Sequence, residues 1–304
     1  MSEEDAVELR DIEIFLTLAE ELHFGRTAER LHVSPARISQ AIKKQERSVG
    51  ADLFERTSRT VKLTVVGEQL RNDLRPVYRS LHESVARARL AAQGKTDVLR
   101  VGTINSNAYE LRAFWEAFRA RFPQWGLRIR HNDWSGPFGP LRNGDIDALI
   151  VWLPVEEPDI AIGPVLFTEP KVLLMPVGHQ LADRDSVSIE ELGNYSTITR
   201  GLSVPDYWEN EYLPFYTPSG RTVEKVVTIV NREDMLAAVS HDGVINTAAE
   251  HVARYSTRTR PDVVDLPIHD SPLLHWALVW RSDAENERIR ALANVIRELG
   301  PMAL

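Results

Sequence analysis

The sequence predicts a multi-domain chain. An all-α helix-turn-helix with a two-stranded wing comes first, then a long linker helix, then an α/β unit. Three observations carry this. A capped, basic, amphipathic segment lies near the amino terminus, a heptad-like segment follows it, and past residue 96 strands alternate with helices.

The first helix is read from Leu9, Ile12, Ile14, Phe15, Leu18 and Ala19, an apolar stripe at helical spacing. A shorter helix follows over Arg26–Leu31, with Ala28 and Leu31 three apart on one side. The connection His32-Val33-Ser34 leads into a longer helix. Ser34 is a good N-cap, because its hydroxyl can accept from an orphaned backbone N–H, and Pro35 takes the first helical position, where its missing N–H costs nothing. Ile38, Ala41, Ile42 and Val49 make the buried face. The other face carries Arg37, Ser39, Gln40, Lys43 and Lys44, which can donate to phosphates and base edges, and none is acidic. Two helices, a tight turn and a basic second helix point to a helix-turn-helix whose second helix enters the major groove. An αα-hairpin with a solvated charged face has the same helix pattern. The run Leu53–Thr64 separates the two, since it reads as two short extended pieces around a basic turn, a wing whose Arg56, Arg59 and Lys62 can reach the sugar-phosphate backbone.

Val66–Gln93 reads as one long helix. Leu70, Leu74, Val77, Leu81, Val85 and Ala88 are spaced close to a heptad seam, which predicts packing against a second copy; docking on its own chain is the alternative. Pro76 lies inside and is expected to kink the helix or thin its hydrogen bonding. Gln93-Gly94-Lys95-Thr96 is the expected boundary. Beyond it come a strand at Val98–Ile104, a helical stripe Leu111, Phe114, Trp115 and Phe118, a strand at Leu127–Arg130 and a turn feeding a strand up to Val151. A second unit starts near Leu166, with strands at Lys171–Met175, Thr197–Thr199, Val226–Val230 and Gly243–Asn246. Its helices are Ser188–Leu192, capped by Ser188 with Glu191 three residues on, and Arg232–Ser240. The chain returns to the first unit at Leu266-Pro267 and ends with the strand Leu274–Trp280 and the helix Asn286–Leu299. Such alternation implies a mostly parallel sheet with helices on both faces.

The 304 residues suit two or three domains. The net charge of −8 looks wrong for a DNA binder until it is divided. Residues 1–95 hold 16 Lys and Arg against 15 Asp and Glu, residues 96–304 hold 20 against 29, and the stretch 26–62 holds 9 against 4. The cations cluster where a phosphate backbone would lie. There is no cysteine, which excludes disulfides and cysteine-ligated metal and fits a reducing compartment. The start Met-Ser-Glu-Glu-Asp-Ala has no signal-like apolar region and no run is long enough to span a membrane, so a cytoplasmic, nucleoid-associated protein is expected.

Leu9 through Gly67 resembles the N-terminal domain of LysR-type transcriptional regulators. The likeness rests on Phe15 and Ala19, on Phe24, on Ala28 with Leu31, and on the run Ser34–Lys43. Gly50, Leu53-Phe54-Glu55-Arg56 and Leu63-Thr64 before Gly67 complete it. Thr27 stands where the family usually has a second Ala and Gln45 where it usually has Leu; both departures concern helix packing. The second half resembles that family's effector-binding domain, a two-lobed fold like type 2 periplasmic binding proteins, through Leu99–Gly102, Leu141–Asp147, Gly178-His179 with the Ser188–Leu192 helix, and Met235–Ala248. The resemblance implies a winged helix-turn-helix over 1–65, a linker and dimerisation helix over 66–94, and an effector-binding domain over 97–304. Lobe I of that domain is about 97–164 with 267–304, and lobe II about 165–266.

It also implies partners: a double-stranded DNA operator, a second copy through Val66–Gln93 with a tetramer through the effector domains, and a small-molecule effector, with no membrane and no other cofactor or metal. The expected DNA contacts are Arg26, Thr27, Ser34, Pro35, Arg37, Ser39, Gln40, Lys43, Arg56, Arg59 and Lys62. Family positions carried over put Thr103, Asn105, Ser106, Trp134, Ser135, Thr199, Arg200 and Thr247 around the effector, beyond the carboxyl ends of strands where open α/β sheets bind ligands. Residues Asn105–Asn107 also open a helix, which favours an anion. Arg200 would favour a carboxylate or phosphate, while Trp134, Tyr109 and Trp208 would suit an aromatic ring. Against these stand plain structural readings, with Ser106 an N-cap, Trp134 packing and Arg200 a surface charge. Enzyme signatures are missing: no G-x-S-x-G, P-loop, G-x-G-x-x-G after a strand or H-E-x-x-H. His241-Asp242 and His269-Asp270 have no nucleophile at motif spacing. An α/β enzyme or small-molecule-binding protein with a DNA-binding appendage is the alternative reading.

Overall fold

A computed structural model describes residues 8–56, 61–92, 94–104, 109–132, 134, 136–199, 204–229 and 231–302. It divides into two compact units, 1–92 and 93–304.

The first unit is three helices, α1 (Leu9–Glu21), α2 (Phe24–Leu31) and α3 (Pro35–Val49), then strands β1 (Phe54–Arg56) and β2 (Val61–Leu63), then α4 (Val65–Ala91). Leu22 and His32 adopt left-handed backbone and end α1 and α2, so each helix turns sharply into the next. Ile14, Phe15 and Leu18 of α1 meet Ala28 of α2 and Ile38, Ala41 and Ile42 of α3, and Leu53 and Phe54 close the cluster from the wing. The Phe15 and Phe54 rings meet edge to face at 5.7 Å. Two expected core residues differ: Leu9 and Val49 sit at helix ends, beyond the reach of that cluster, and are exposed. β1 and β2 pair antiparallel, with Phe54 opposite Leu63. Thr64 fastens wing to α4, its hydroxyl accepting from Gly67 N–H at 3.0 Å while donating to Asp52 O at 2.8 Å. Gly67 lets α4 approach that strand, since a Cβ there would stand 2.1 Å from Leu53 O. We expect Gly67→Ala to cost about 2–3 kcal/mol, the upper range for overpacking because backbone must move. Urea unfolding that shows a loss below 1 kcal/mol would contradict this packing.

Helix α4 runs unbroken across Pro76. Its expected seam divides in two. Leu70 and Leu74, with Tyr78, pack on the first unit's own core, while Val77, Leu81 and Val85 are 63%, 45% and 46% exposed.

The second unit holds a five-stranded mixed sheet and a three-stranded antiparallel sheet. In the first, β3 (Asp97–Ile104) pairs parallel with β4 (Trp125–Asn132) and β5 (Ala148–Trp152). β12 (Leu274–Arg281) then runs antiparallel between β5 and β6 (Ile160–Glu169). Helices α5 (Arg112–Arg121), the short α6 (Gly139–Arg142) and α10 (Glu287–Leu299) belong to this sheet, α5 packing on β4 and α10 on β6. The second sheet has β7 (Lys171–Pro176) between β10 (Asn246–Ala249) and β11 (Val263–Pro267). Around it lie the parallel pair β8 (Thr197–Thr199) and β9 (Lys225–Thr228), with α7 (Asp206–Tyr212), α8 (Arg232–Ala237) and α9 (Glu250–Thr259).

The mostly parallel sheet is therefore corrected to one mixed sheet and one antiparallel sheet. β12 is reached from the other lobe rather than by a crossover helix, so it enters antiparallel. β6 is a strand the residue pattern hides, because Gly163-Pro164 interrupts it. As the edge strand it tolerates the missing Pro164 N–H, and Gly163 lies under the Trp280 ring. The lobe boundary placed at 164/165 lies inside β6, and the chain first crosses at Pro170, between Glu169 and Lys171. The capped helix at Ser188 is a 3-10 turn over Ile189–Asn194; Ser188 Oγ accepts from Glu190 N–H, while the Glu191 carboxylate turns to Arg184 and Asn194 instead of closing a capping box.

Candidate nucleic-acid interface and effector cleft

Helix α3 is set by its ends. Ser34 Oγ accepts from the Arg37 N–H at 3.2 Å, Pro35 occupies the first turn, and Gly50, at φ 79°, closes the last turn with its N–H on Glu46 O. Ile38, Ala41, Ile42 and Gln45 point inward. On the far side Ala36, Gln40, Lys43 and Arg47, spaced four, three and four, form an exposed stripe. Glu46 sits between the faces, and its Oε1 accepts from Leu53 N–H at 3.1 Å and fixes the start of the wing.

The expected DNA contacts fall into three groups. Gln40 and Lys43 lie on the stripe and Ser39 at its margin, and their side chains make no hydrogen bond or ion pair among the described residues. Ser34 and Pro35 are exposed at the helix start. Lys62 faces solvent from β2, while Val61 and Leu63 on either side pack inward. A second group is engaged within the protein. Arg26 Nη2 donates to Glu21 O at 2.6 Å. Arg37 Nη2 donates to Asp11 Oδ1 at 2.8 Å. Thr27 is fully buried and its hydroxyl donates to His23 O at 2.9 Å, so its side chain is a packing element of α2 and not a surface contact. The third group, Arg59 and the Arg56 side chain, lies outside the described residues. Arg47, which is not among the expected contacts, joins the stripe, and its spacing of four from Lys43 is the sequence signal for it.

In the second unit, Thr103 sits at the carboxyl end of β3 beside His131, buried, with Oγ1 3.4 Å from Arg130 O. Trp134 is also buried. Asn105, Ser106, Ser135 and Arg200 lie outside the described residues. Thr199 and Thr247 both reach α7: Thr199 Oγ1 donates to Glu209 Oε1 at 3.4 Å, and Thr247 Oγ1 donates to Tyr212 O at 2.6 Å. The Thr247 hydroxyl is thus spent inside the protein, with the residue fully buried. Helix α7 also carries Trp208 onto Trp152 of β5. The two indoles stack with centroids 3.6 Å apart and planes at 10°, and each N–H donates to the other residue's carbonyl, at 3.3 and 3.1 Å. Trp208 is therefore a core residue and no open platform for a ring. Lys225 Nζ lies 2.9 Å from Glu209 Oε1, and Lys171 Nζ donates to Glu211 O at 2.6 Å, so α7 is bound on both flanks. Burial holds the Lys171 ammonium below its ordinary pKa, against the opposing pull of Glu211.

An exposed polar stripe on a capped second helix, a wing beside it and a separate α/β domain of two linked sheets define a DNA-binding regulator with a ligand-binding domain. Residues 9–68 match the bacterial regulatory helix-turn-helix of the lysR family, and residues 92–301 match the LysR substrate binding domain. The chain belongs to the LysR family of transcriptional regulators. It is 32% identical over 210 residues to the HTH-type transcriptional regulator AlsR of Bacillus subtilis (strain 168), covering 69% of this chain and 68% of that one. The RuBisCO operon transcriptional regulator of Allochromatium vinosum is 24% identical over 298 residues, 96% of this chain and 95% of that one. Full-length CbnR complexed with its target DNA shares the fold, with a TM-score of 0.63 at 19% identity over 96% of this chain and 100% of that one. No helix among the described residues is long and apolar enough to cross a membrane.

Proposed function

We propose that this regulator reads duplex DNA through the Gln40, Lys43 and Arg47 stripe of α3 while the wing, through Lys62 and its neighbours, grips phosphates. The observation that carries this is the stripe itself: three donors on one exposed helix face, two of them cations, flanked by the wing. The helix presents groups able to bond base edges, and the wing presents charge. Val77, Leu81 and Val85 leave an apolar face along the distal part of α4, which supports pairing with a second copy and so a two-headed reader of a two-part site. A small-molecule effector in the α/β domain, at the carboxyl ends of β3 and β8, would bias that reading. By linkage, operator DNA then shifts effector affinity by the same factor.

Binding measured against salt tests this. Gln40→Ala should lower preference for the selected duplex by about 1–3 kcal/mol, the range of a base-edge contact, with the salt slope kept. Lys62→Ala should weaken all duplexes alike and flatten the slope by about one unit. If Gln40→Ala changes no base in the selected site and Lys62→Ala leaves the slope intact, α3 and the wing are not the interface.

A further inference from the structure

We propose that Asp11 is a positioning residue for DNA recognition, and that its buried carboxylate withholds Arg37 and Lys44 from the duplex. The inference rests on the reading of α3 as the groove-entering helix. Asp11 stands in the first turn of α1 and is 1% exposed. Its Oδ1 accepts from Arg37 Nη2 at 2.8 Å, and its Oδ2 lies 3.4 Å from Lys44 Nζ. Glu8 Oε1 lies 3.4 Å from the same ammonium. Gln45 Nε2 donates to the Asp11 carbonyl at 2.7 Å. One residue of α1 thus holds positions 37, 44 and 45 across two turns of α3.

Helix geometry gives this clamp a consequence. At roughly 100° per residue, Arg37 and Lys44 lie on one line along α3. The stripe of Ala36, Gln40, Lys43 and Arg47 lies about a quarter turn to one side, and the buried Ile38, Ala41 and Ile42 lie about a quarter turn to the other. The line of two cations is the border between core and reading face, and both cations bend toward α1. Swinging Arg37 to a phosphate would take from the buried carboxylate its closer, hydrogen-bonded cation and leave it only Lys44 at 3.4 Å, which is unfavourable. The guanidinium therefore stays on Asp11. The rotation of α3 about its own axis is fixed by that bond together with the Gln45 amide, and the stripe is what remains to face the groove. The buried Gln45 amide serves the same clamp from one residue further along α3 than Lys44.

The test uses the intact chain and three variants, titrated with salt on a duplex selected from a random pool and on an unselected duplex of equal length. Arg37→Ala should leave the wild-type salt slope unchanged, since its charge touches no phosphate. Asp11→Asn frees Arg37 and leaves Lys44 only the exposed Glu8 carboxylate. It should steepen the slope by about one to two units and raise affinity for the unselected duplex about tenfold at low salt, so that the preference ratio falls. Adding Arg37→Ala and Lys44→Ala to Asp11→Asn should return the wild-type slope. A carboxylate needed only for folding would lower the melting temperature and leave slopes alone, and that pattern overturns the proposal. So does an Arg37→Ala slope flatter by about one unit, which makes Arg37 a direct phosphate contact. Should Asp11→Asn fail to fold, the Arg37→Ala slope decides by itself. A wild-type chain with no preference for any duplex removes the reading of α3 as well, whereas a binding wild type with a flattened Arg37→Ala slope removes the clamp alone.

Discussion

Trp208→Ala should destabilise the α/β domain by about 3–5 kcal/mol, the range for deleting a fully buried large aromatic side chain. Trp208 is 0% exposed and stacks on Trp152, whose other neighbours include Tyr212 at 4.8 Å and Trp276 at 5.4 Å. Phe138 meets the Trp208 ring edge to face at 6.1 Å. Such a cavity is walled by rigid rings, which cannot collapse into it, so the upper half of the range applies. Trp208→Phe keeps most of the apolar area and loses the N–H that donates to Trp152 O; it should cost the stacking difference and about 1 kcal/mol for the hydrogen bond. Denaturant unfolding of both variants gives the comparison. The loss should be confined to the α/β transition, because none of these rings belongs to the N-terminal core. Equal costs for Phe and Ala would mean that the hydrogen bond, and not the stack, fastens α7. The functional consequence follows from what α7 holds. Glu209 bonds Thr199 and Tyr212 bonds Thr247, so loosening Trp208 should also disorder the second-lobe side of the expected cleft.

That arrangement shows where sequence reading stops. The first unit was legible because its signals are local. Ser34, Pro35 and Gly50 mark both ends of α3, and the spacing of Ile38, Ala41 and Ile42 marks its buried face. What the pattern could not give is the partner of a polar side chain far along the chain. Arg37 looked like a free donor, and its partner Asp11 is 26 residues earlier. Trp208 looked like a ligand platform, and its partner Trp152 is 56 residues away. Thr27 stands among the expected DNA contacts, yet it is buried and its hydroxyl donates back to His23 O. The linker seam divides between the two readings of its spacing. Heptad spacing says that Leu70, Leu74, Val77, Leu81 and Val85 share a face, but not who covers it, and the first unit itself covers the first two. In the α/β domain the strand order was illegible, since the place of β12 between β5 and β6 depends on the chain returning from the second sheet.

Glu169→Ala should cost about 3–5 kcal/mol, because it leaves two buried donors, the His251 ring Nδ1–H and backbone N–H, without an acceptor at about 1–3 kcal/mol each. Both are almost wholly buried, with the His251 Nδ1 2.7 Å from Glu169 Oε1 and the His251 backbone N–H donating to Oε2 at 2.9 Å. An ionised carboxylate only accepts, so beside it Nδ1 is the donor whatever the charge on the ring. The carboxylate also lies at the first turn of α9, where its charge is favoured by the free N–H groups. Its position explains why so much is invested in one side chain. Glu169 is the last residue of β6 and pairs with Leu274, the first of β12, while Lys171 opens β7 and its carbonyl accepts from Ile268 N–H at 3.1 Å. The two strands that join the sheets therefore cross side by side, and Glu169 bolts that ribbon to α9. Glu169→Gln keeps an acceptor for one of the two donors and should cost about 1–3 kcal/mol, the loss of one buried hydrogen-bonded group. Amide exchange should localise the effect, quickening at His251 and along the ribbon by more than in β3–β5. A Glu169→Ala protein within 1 kcal/mol of wild type, with exchange at His251 unaltered, would mean that the ribbon stands without this bolt.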